Sequence, residues 1–366
     1  MKNLIPVIII GFVLAGSIFT SCKKHITEPP TGDTTHTDTT RHPCDSCNLN
    51  KDSLSHAFTW KEFTIPSETN LTGVWVFGAN DMIIVANSLW HFDGVNFKLI
   101  HAIRNGTNTP LDGALNGCGI FAFSQTDFWL VYGGGGGNSA LHTTDGQHFD
   151  DLRLGLMNAC WGTSSNDMFF VGDGGSIFHY DGTKFNAMTS NTTKNLRSVW
   201  GTSSSDVWAC GANTSTGKTT ILHYDGSNWQ EDPLSTTASA LNSGLFATWT
   251  CDSSGHHFVT TSGAYIYRKT DNGSWRNDGA LVPNNLGGNN YVGLALLSGN
   301  SSTDFMSVGS WGWVGHWNGK NWKRYDALYD YSNPTYISDA LSMRGNTVCV
   351  VGEKSGASWV AIGARK

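Results

Sequence analysis

An internal repeat constrains the fold of this chain more than any other feature of its sequence. The clearest copy starts at Leu196 with LRSVWGTSSSDVWACG and ends at Trp229 with ILHYDGSNW. One position before the second strand of the unit recurs with spacings of 46, 40, 39, 49, 49 and 42 residues. It is occupied by Asp81, Asp127, Asp167, Asp206, Gly255, Asp304 and Asn346. A repeat of about 40–50 residues with four strand signals is typical of the blades of a β-propeller.

Each repeat predicts four strands, which we label a to d. In the clearest copy, strand a covers 198–200, strand b covers 207–210, strand c covers 220–224 and strand d begins at Trp229. Apolar residues alternate along these segments, and an Asp-Gly pair separates strands c and d, which is typical of antiparallel hairpins. The pattern therefore predicts an all-β chain.

The last of the seven copies lacks strand d, and a segment before the first copy can supply it. Residues 58–66 resemble the strand d segments, such as 321–325. Closing the ring in this way removes open sheet edges, which otherwise promote aggregation. We therefore predict a seven-bladed β-propeller over residues 56–366, closed by its N-terminal strand.

The first residues are typical of a targeting signal. Lys2 precedes an apolar stretch that is short for a membrane span, and small polar residues follow it. Residues 19–22, Phe-Thr-Ser-Cys, resemble a bacterial lipobox with Cys22 as the acylated residue. We interpret 1–21 as a lipoprotein signal peptide; the alternative is an ordinary secretory signal with a chance cysteine. Lipidation predicts a place in the bacterial cell envelope, anchored to a membrane (the outer membrane), with the propeller in the periplasm or outside.

Residues 22–55 are polar, and they bury too little apolar surface to offset chain entropy, so we interpret them as a disordered tether. Cys44 and Cys47 lie within it. A redox Cys-x-x-Cys would need a thioredoxin-like context, and a zinc site would need a second ligand pair. A local disulfide is the interpretation we prefer, with the other two left open.

Composition excludes several classes of function. Of the 366 residues, 39% are hydrophobic and 14% charged, and the formal net charge is −6. This hydrophobic content is too high for a disordered chain. Non-specific nucleic-acid binding needs a basic surface, so we expect no nucleic-acid partner.

The unit WGTSSSDVWACG…HYDGSNW resembles the repeats of bacterial secreted β-propellers near the BNR/Asp-box and photosystem II assembly factor-like groups. The resemblance extends over the whole repeat region. It implies a propeller fold and leaves the function open, because propellers carry many unrelated functions.

A histidine recurs on strand c in five of the repeats. It is found at His91, His142, His179, His223 and His316. A metal site is one interpretation, but these residues belong to different blades, which would keep them apart. Strand c runs back toward the a–b turn of its own blade, so we expect His223 to bond Asp206 and His179 to bond Asp167. We therefore assign the repeated Asp and His residues to the scaffold and expect no metal or other cofactor.

Four tryptophans also recur, on strand a. They are Trp75, Trp161, Trp200 and Trp249, and we interpret them as packing between blades.

The b–c and d–a loops vary most between copies, and they share one face of a propeller. Exposed aromatic rings beside amides and carboxylates are typical of a carbohydrate site. The candidate ligand-binding residues in these loops are Trp311, Trp313, Tyr329, Tyr331, Asn289, Asn290, Arg104 and Asp330. The alternative is that Trp311 and Trp313 only pack their own hairpin.

Catalysis has weaker support in the sequence. A glycosidase usually needs two placed carboxyl groups; of the five glutamates, Glu28 lies in the tether and Glu62 on the closing strand. We assign no catalytic residue. The sequence favours a non-enzymatic, monomeric binding or scaffolding module for a glycan or an envelope protein. The alternative is a glycoside hydrolase or polysaccharide lyase on a propeller scaffold.

Overall fold

The clearest sequence repeat folds into a four-stranded antiparallel sheet, which we call sheet 4. Its strands are β16 (Asn195–Ser203), β17 (Asp206–Ala212), β18 (Thr219–Tyr224) and β19 (Trp229–Glu231), hydrogen-bonded in chain order. Trp200 pairs with Trp208, and Trp208 pairs with His223. The β-branched and aromatic residues along these strands suit a pleated surface that is buried between neighbouring sheets.

The computed structural model describes residues 55–115, 117–132, 139–212, 219–235, 245–250, 257–261, 266–269, 274–277, 294–309, 313–328 and 337–366. Within these ranges the strands form seven sheets, and the architecture is an all-β propeller, as the repeat predicts. None of the described residues belongs to a helix that is long and apolar enough to cross a bilayer. Short 3₁₀ turns cover Asp173–Gly175 and Asp326–Leu328.

The other sheets follow the same order, and we number them along the chain. Sheet 1 contains β2 (Gly73–Gly78), β3 (Asp81–Val85), β4 (Leu89–Phe92) and β5 (Phe97–Ile100). Sheet 2 contains β8 (Cys118–Ala122), β9 (Phe128–Tyr132), β10 (Ser139–Thr143) and β11 (His148–Leu152), extended by β6 (Ile103–Arg104) and β7 (Thr109–Pro110). Sheet 3 contains β12 (Met157–Ser164), β13 (Asp167–Gly172), β14 (Ile177–Tyr180) and β15 (Phe185–Met188).

The remaining three sheets complete the set. Sheet 5 contains β20 (Leu245–Thr250), β21 (His257–Thr261), β22 (Ile266–Lys269) and β23 (Trp275–Asn277). Sheet 6 contains β24 (Leu294–Ser301), β25 (Asp304–Gly309), β26 (Val314–Trp317) and β27 (Trp322–Arg324). Sheet 7 contains β28 (Ile337–Arg344), β29 (Thr347–Lys354) and β30 (Ala357–Arg365), with β1 (Phe58–Phe63) paired to β30.

The strand order gives the propeller two distinct faces. The a–b and c–d turns lie at one end of every sheet, which we call the turn face, and the b–c and d–a connections lie at the opposite end, the loop face. The first strand of each sheet contacts the first strands of neighbouring sheets, so these strands surround a central channel.

The Asp-Gly pairs form the c–d turns. Asp225 accepts hydrogen bonds from the backbone N–H groups of Ser227 and Asn228, both at 2.8 Å. These bonds hold the pKa of the Asp225 carboxyl below its usual value. Gly226 has φ +90°, a conformation that glycine adopts at no steric cost.

Neighbouring sheets pack through large aromatic side chains. Trp161 on β12 is fully buried. It lies against Gly201 of sheet 4, where a Cβ atom would come within 2.7 Å of the indole ring. The glycine of the repeated Trp-Gly-Thr unit therefore permits this close approach between two sheets.

The segment between sheets 1 and 2 differs from the predicted loop. It forms the hairpin β6–β7, and β6 pairs in parallel with β11 at the outer edge of sheet 2. Ala102, Leu111 and Leu115 are buried beneath it. These apolar anchors hold the hairpin against the sheet.

Candidate functional site

In the first five sheets, the first strand carries an aromatic residue at the same position of the repeat. The position pairs with the second residue after the a–b turn, as Trp200 does with Trp208. Equivalent residues in the first five sheets are Trp75, Phe121, Trp161, Trp200 and Trp249. In sheets 6 and 7 the position is taken by Ser298 and Met343. The aromatic series is therefore interrupted on one side of the channel.

A cavity of about 250 Å³ occupies the channel beside this interruption. It extends from Thr72, at the loop-face end of β2, to Arg344, at the turn-face end of β28. Five first strands line it, and its wall is formed by Thr72, Gly73, Val74, Trp75, Val76, Gly119, Ile120, Trp200, Leu296, Leu297, Ser298, Gly299, Ala340, Leu341, Ser342, Met343 and Arg344. Arg344 is the one charged residue in this described lining, so the cavity is mainly apolar.

The aromatic side of the cavity is a packed cluster. Phe121 is buried between two tryptophans, with its ring centroid 4.9 Å from that of Trp75 and 5.9 Å from that of Trp200. Both contacts are edge-to-face, the arrangement that aromatic pairs favour. The indole Nε1 atoms of Trp75 and Trp200 are buried and have no hydrogen-bond partner among the described residues. These residues therefore offer ring surface to the cavity.

Serine hydroxyls hold the opposite wall together. The backbone N–H of Met343 donates to Ser298 Oγ at 2.9 Å, and the backbone N–H of Val76 donates to Ser342 Oγ at 3.0 Å. These bonds join sheet 6 to sheet 7 and sheet 7 to sheet 1. The small side chains that leave the cavity open thus also connect the sheets around it.

A hydrogen bond between the repeated His and Asp residues is present in five sheets. The imidazole Nε2–H donates to the carboxylate at 2.6–3.0 Å in each pair. The pairs are His91–Asp81, His142–Asp127, His179–Asp167, His223–Asp206 and His316–Asp304. Each bond connects strand c to the a–b turn of its own sheet, as the repeat predicts.

Several of these carboxylates also accept a bond from the next sheet. The hydroxyl of Ser165 in sheet 3 donates to Asp127 at 2.6 Å. Arg365 in sheet 7 donates to Asp304 of sheet 6 at 3.0 Å. Among the described residues, no group of three or more histidine, cysteine or acidic side chains is placed to hold a metal ion.

The structure corrects one residue of the predicted carbohydrate site. Trp313 is 1% exposed, and its ring lies over Gly315 of the same hairpin, where a Cβ atom would come within 2.9 Å of it. A buried indole cannot stack on a sugar, so the alternative interpretation, packing of its own hairpin, is correct for Trp313. Its apolar ring gains more from burial beside Trp322 than from contact with water.

Arg104 lies on β6, and its guanidinium Nε is 3.0 Å from a carboxylate oxygen of Asp151. It is thus paired within sheet 2. The other candidates lie outside the described residues: Trp311, Tyr329, Tyr331, Asn289, Asn290 and Asp330, together with Cys22, Cys44 and Cys47.

The channel cavity was not predicted from the sequence, because the recurring aromatic residues of strand a were interpreted only as contacts between blades. The signal was present: the aromatic position changes to Ser298 and Met343 in the last two copies. Without the register between strands, nothing showed that these residues face the same space as Trp75 and Trp200.

Solved structures share the fold of this chain at low sequence identity. No family model matches the chain, and a search of the curated proteins finds no match. YCF48 from Cyanidioschyzon merolae matches with a TM-score of 0.59 and 15% identity, over 82% of this chain and 98% of that one. YCF48 bound to D1 peptide matches with a TM-score of 0.57 and 14% identity, over 84% and 95%.

Part of a much longer protein matches as well. Chaetomium thermophilum Raptor has a TM-score of 0.57 and 10% identity, and the match covers 85% of this chain and 30% of that one. At these identities the comparisons show the fold alone. They support the propeller fold that the sequence resemblance implied.

Proposed function

We propose that this chain is a non-enzymatic binding module, and that its central-channel cavity takes side chains from a segment of a partner protein. The aromatic-walled, mainly apolar cavity carries the proposal. At about 250 Å³ it lies below the roughly 300–1,000 Å³ typical of pockets for drug-sized ligands. That size suits one or two apolar side chains better than a large cofactor.

Two further observations favour a polypeptide over a glycan. Apolar or aromatic anchors that fill a pocket supply most of the affinity in protein recognition. The YCF48 propeller of the same fold has been solved with a D1 peptide bound. The burial of Trp313, in contrast, removes one of the two tryptophans on which the predicted glycan site depended.

A cavity-filling variant tests this function. Ser298→Trp restores to sheet 6 the aromatic that the first five sheets carry, and it should fill the cavity. We expect peptides selected from a displayed library on the wild-type protein to bind this variant at least about tenfold more weakly, measured by calorimetry, because their anchor residue loses its pocket.

Ser298→Ala is the matched control, since it loses the same hydroxyl but leaves the cavity open. It should bind within about twofold of wild type. Equal binding by Ser298→Trp, with an unchanged melting temperature, would place the partner elsewhere. A glycan array run on the same proteins separates the carbohydrate alternative: glycan binding without peptide binding would replace the proposal.

We also propose that the seven sheets are the seven blades of one closed ring. First-strand contacts support this count, because β2 contacts both β28 and β8, and the succession continues through β12, β16, β20 and β24 back to β28. The antiparallel pairing of β1 with β30, from Phe58 opposite Arg365 to Phe63 opposite Val360, supports β1 as the closing strand. Its removal is the test described in the Discussion.

The N-terminal targeting signal leads to a proposal about location. We propose that Cys22 is lipidated and that residues 22–55 tether the propeller to a membrane of the bacterial envelope. The backbone N–H of Lys366 donates to the carbonyl of Ala57 at 2.8 Å, which supports entry of the chain at the turn face.

Replacing the lipidated cysteine tests the anchor. In a bacterial host, Cys22→Ser should abolish incorporation of a labelled fatty acid and move the protein from the membrane fraction to the soluble fraction, because the thiol that carries the lipid is gone. Cys47→Ser should keep both label and membrane association. A Cys22→Ser protein that still takes up the fatty-acid label would disprove lipidation at this residue.

A further inference from the structure

The histidine–aspartate pair of sheet 6 differs from the other four pairs in burial. The side chain of His316 is 0% exposed and that of Asp304 is 4% exposed. The other four histidines are 13–34% exposed. The sheet 6 pair also contacts both ends of the described chain, through His56 and Arg365.

The surroundings of Asp304 determine which nitrogen of His316 carries a proton. Asp304 accepts hydrogen bonds from His316 Nε2 at 2.7 Å, Asn300 Nδ2 at 2.8 Å and Arg365 at 3.0 Å. Burial opposes its ionisation, but these bonds hold the pKa of its carboxyl below the usual value. An ionised carboxylate only accepts, so Nε2 of His316 must be protonated. In the neutral ring, Nδ1 is then an acceptor.

His56 supplies the donor for that acceptor. The two Nδ1 atoms are 2.8 Å apart, so the proton between them belongs to His56. The other ring nitrogen of His56 lies 3.0 Å from Asn321 Oδ1. The hydroxyl of Tyr325 donates to the carbonyl of His56 at 3.1 Å. His56, two residues before β1, is thereby fixed to sheet 6.

The hydrogen bond between the Nδ1 atoms of His56 and His316 limits how many protons the two rings can carry. It is compatible with a neutral pair, and also with one added proton, because one Nδ1 can still donate while the other accepts. Only when both Nδ1 atoms carry a proton, which requires two added protons, do two N–H groups point at each other and two imidazolium ions lie side by side. Acid therefore removes the hydrogen bond between the rings.

The charges around His316 place this event below its ordinary pKa of about 6.5. Burial lowers the pKa of His316 most, Asp304 raises it, and Arg365 and His56 lower it further. The hydrogen bond between His56 and His316 is therefore fully formed at neutral pH. It is lost as the pH falls from about 6.5 through the lowered pKa of His316. The titratable or charged groups around the ring are Asp304 on β25, Arg365 on β30, His56, Tyr325, and the exposed Lys323 opposite it on β27.

We propose that His56 and His316 form an acid-sensitive clasp, which holds the start of β1 against sheet 6 at neutral pH and releases it in acid. β1 is the strand that pairs with β30, so release at His56 loosens the edge of sheet 7. An envelope protein that meets acidic surroundings would then expose its N-terminal strand while the other sheets stay folded.

Hydrogen exchange of the full chain at pH 7.5 and pH 5.0, corrected for intrinsic rates, tests the clasp. We expect protection of β1 amides to fall at least about tenfold at pH 5.0 in the wild-type protein. In His56→Gln it should change less than about twofold, because the glutamine amide does not titrate and can either donate to or accept from His316. The internal control is β15, the last strand of sheet 3. In that sheet His179 on β14 pairs with Asp167, and the amides of β15 should keep their protection.

Three outcomes would overturn the proposal. Unchanged β1 protection in the wild type would show that acid does not open the clasp. Equal loss in His56→Gln would show that the histidine pair is not the titrating unit. Parallel loss in β15 would indicate general acid unfolding.

Discussion

Replacing Asp304 by alanine is expected to lower the free energy of unfolding by about 3–5 kcal/mol. Its carboxylate accepts from His316, Asn300 and Arg365, and the side chain of Arg365 is 2% exposed. Removing the carboxylate leaves a buried guanidinium without its counter-charge, and water cannot replace it at this depth. Urea unfolding, followed by tryptophan fluorescence, measures the loss.

Asp167→Ala is the matched control, because it removes the same residue of the repeat in sheet 3. There the carboxylate is 24% exposed and its partner His179 is 26% exposed, so water can solvate what remains. Loss of these solvent-exposed hydrogen bonds to the carboxylate should cost about 1.5–2 kcal/mol, the low end of the range for hydrogen bonds to a charged group. Equal losses in the two variants would contradict a special role for burial in sheet 6.

Removal of residues 1–64 should abolish the cooperative unfolding transition or lower the stability by about 5 kcal/mol or more. The deletion takes away β1 with the partly buried Phe58, Trp60 and Phe63; full burial of one such side chain stabilises a protein by about 1.5–3 kcal/mol, so the three together account for several kcal/mol. Trp60 packs edge-to-face on Tyr325, which directly follows the last strand of sheet 6, with ring centroids 5.1 Å apart, so the deletion also weakens the contact between sheets 6 and 7. It further exposes the unpaired edge of β30.

A second truncation separates closure from other effects of shortening the chain. Removal of residues 1–54 leaves β1 and His56 in place and should leave the melting temperature unchanged. Calorimetry and size-exclusion chromatography compare both truncations with the full chain. A 1–64 deletion as stable and monomeric as the 1–54 deletion would disprove β1 as the closing strand.

Much of the fold could be predicted because each repeat carries its own local signals. Gly226 and Asp225 specify a c–d turn through backbone conformation and short-range hydrogen bonds, which depend on neighbouring residues only. The bond between His223 and Asp206 follows from the direction of strand c within one hairpin. The hairpin β6–β7 was missed because its place at the edge of β11 depends on residues more than forty positions away, as Arg104 opposite Phe149 illustrates.

The candidate site was less accessible to prediction. Variation between loops pointed to the loop face, where Trp313 turned out to be buried over Gly315. Whether an aromatic ring packs inward or stacks on a ligand depends on the space that other strands leave for it. The size of that space cannot be inferred from the order of residue types in the sequence.

The sequence by itself determined the repeat, the strands, the turns and the His–Asp bonds within sheets, because these depend on contacts between residues close in the chain. Only the tertiary structure decided that Trp75, Trp200, Ser298 and Met343 surround one cavity, and that His56 meets His316 across 260 positions. The physical reason is the ring arrangement. It brings together the first strands of separate sheets, and it pairs β1 with β30, whose sequence separation carries no local signal.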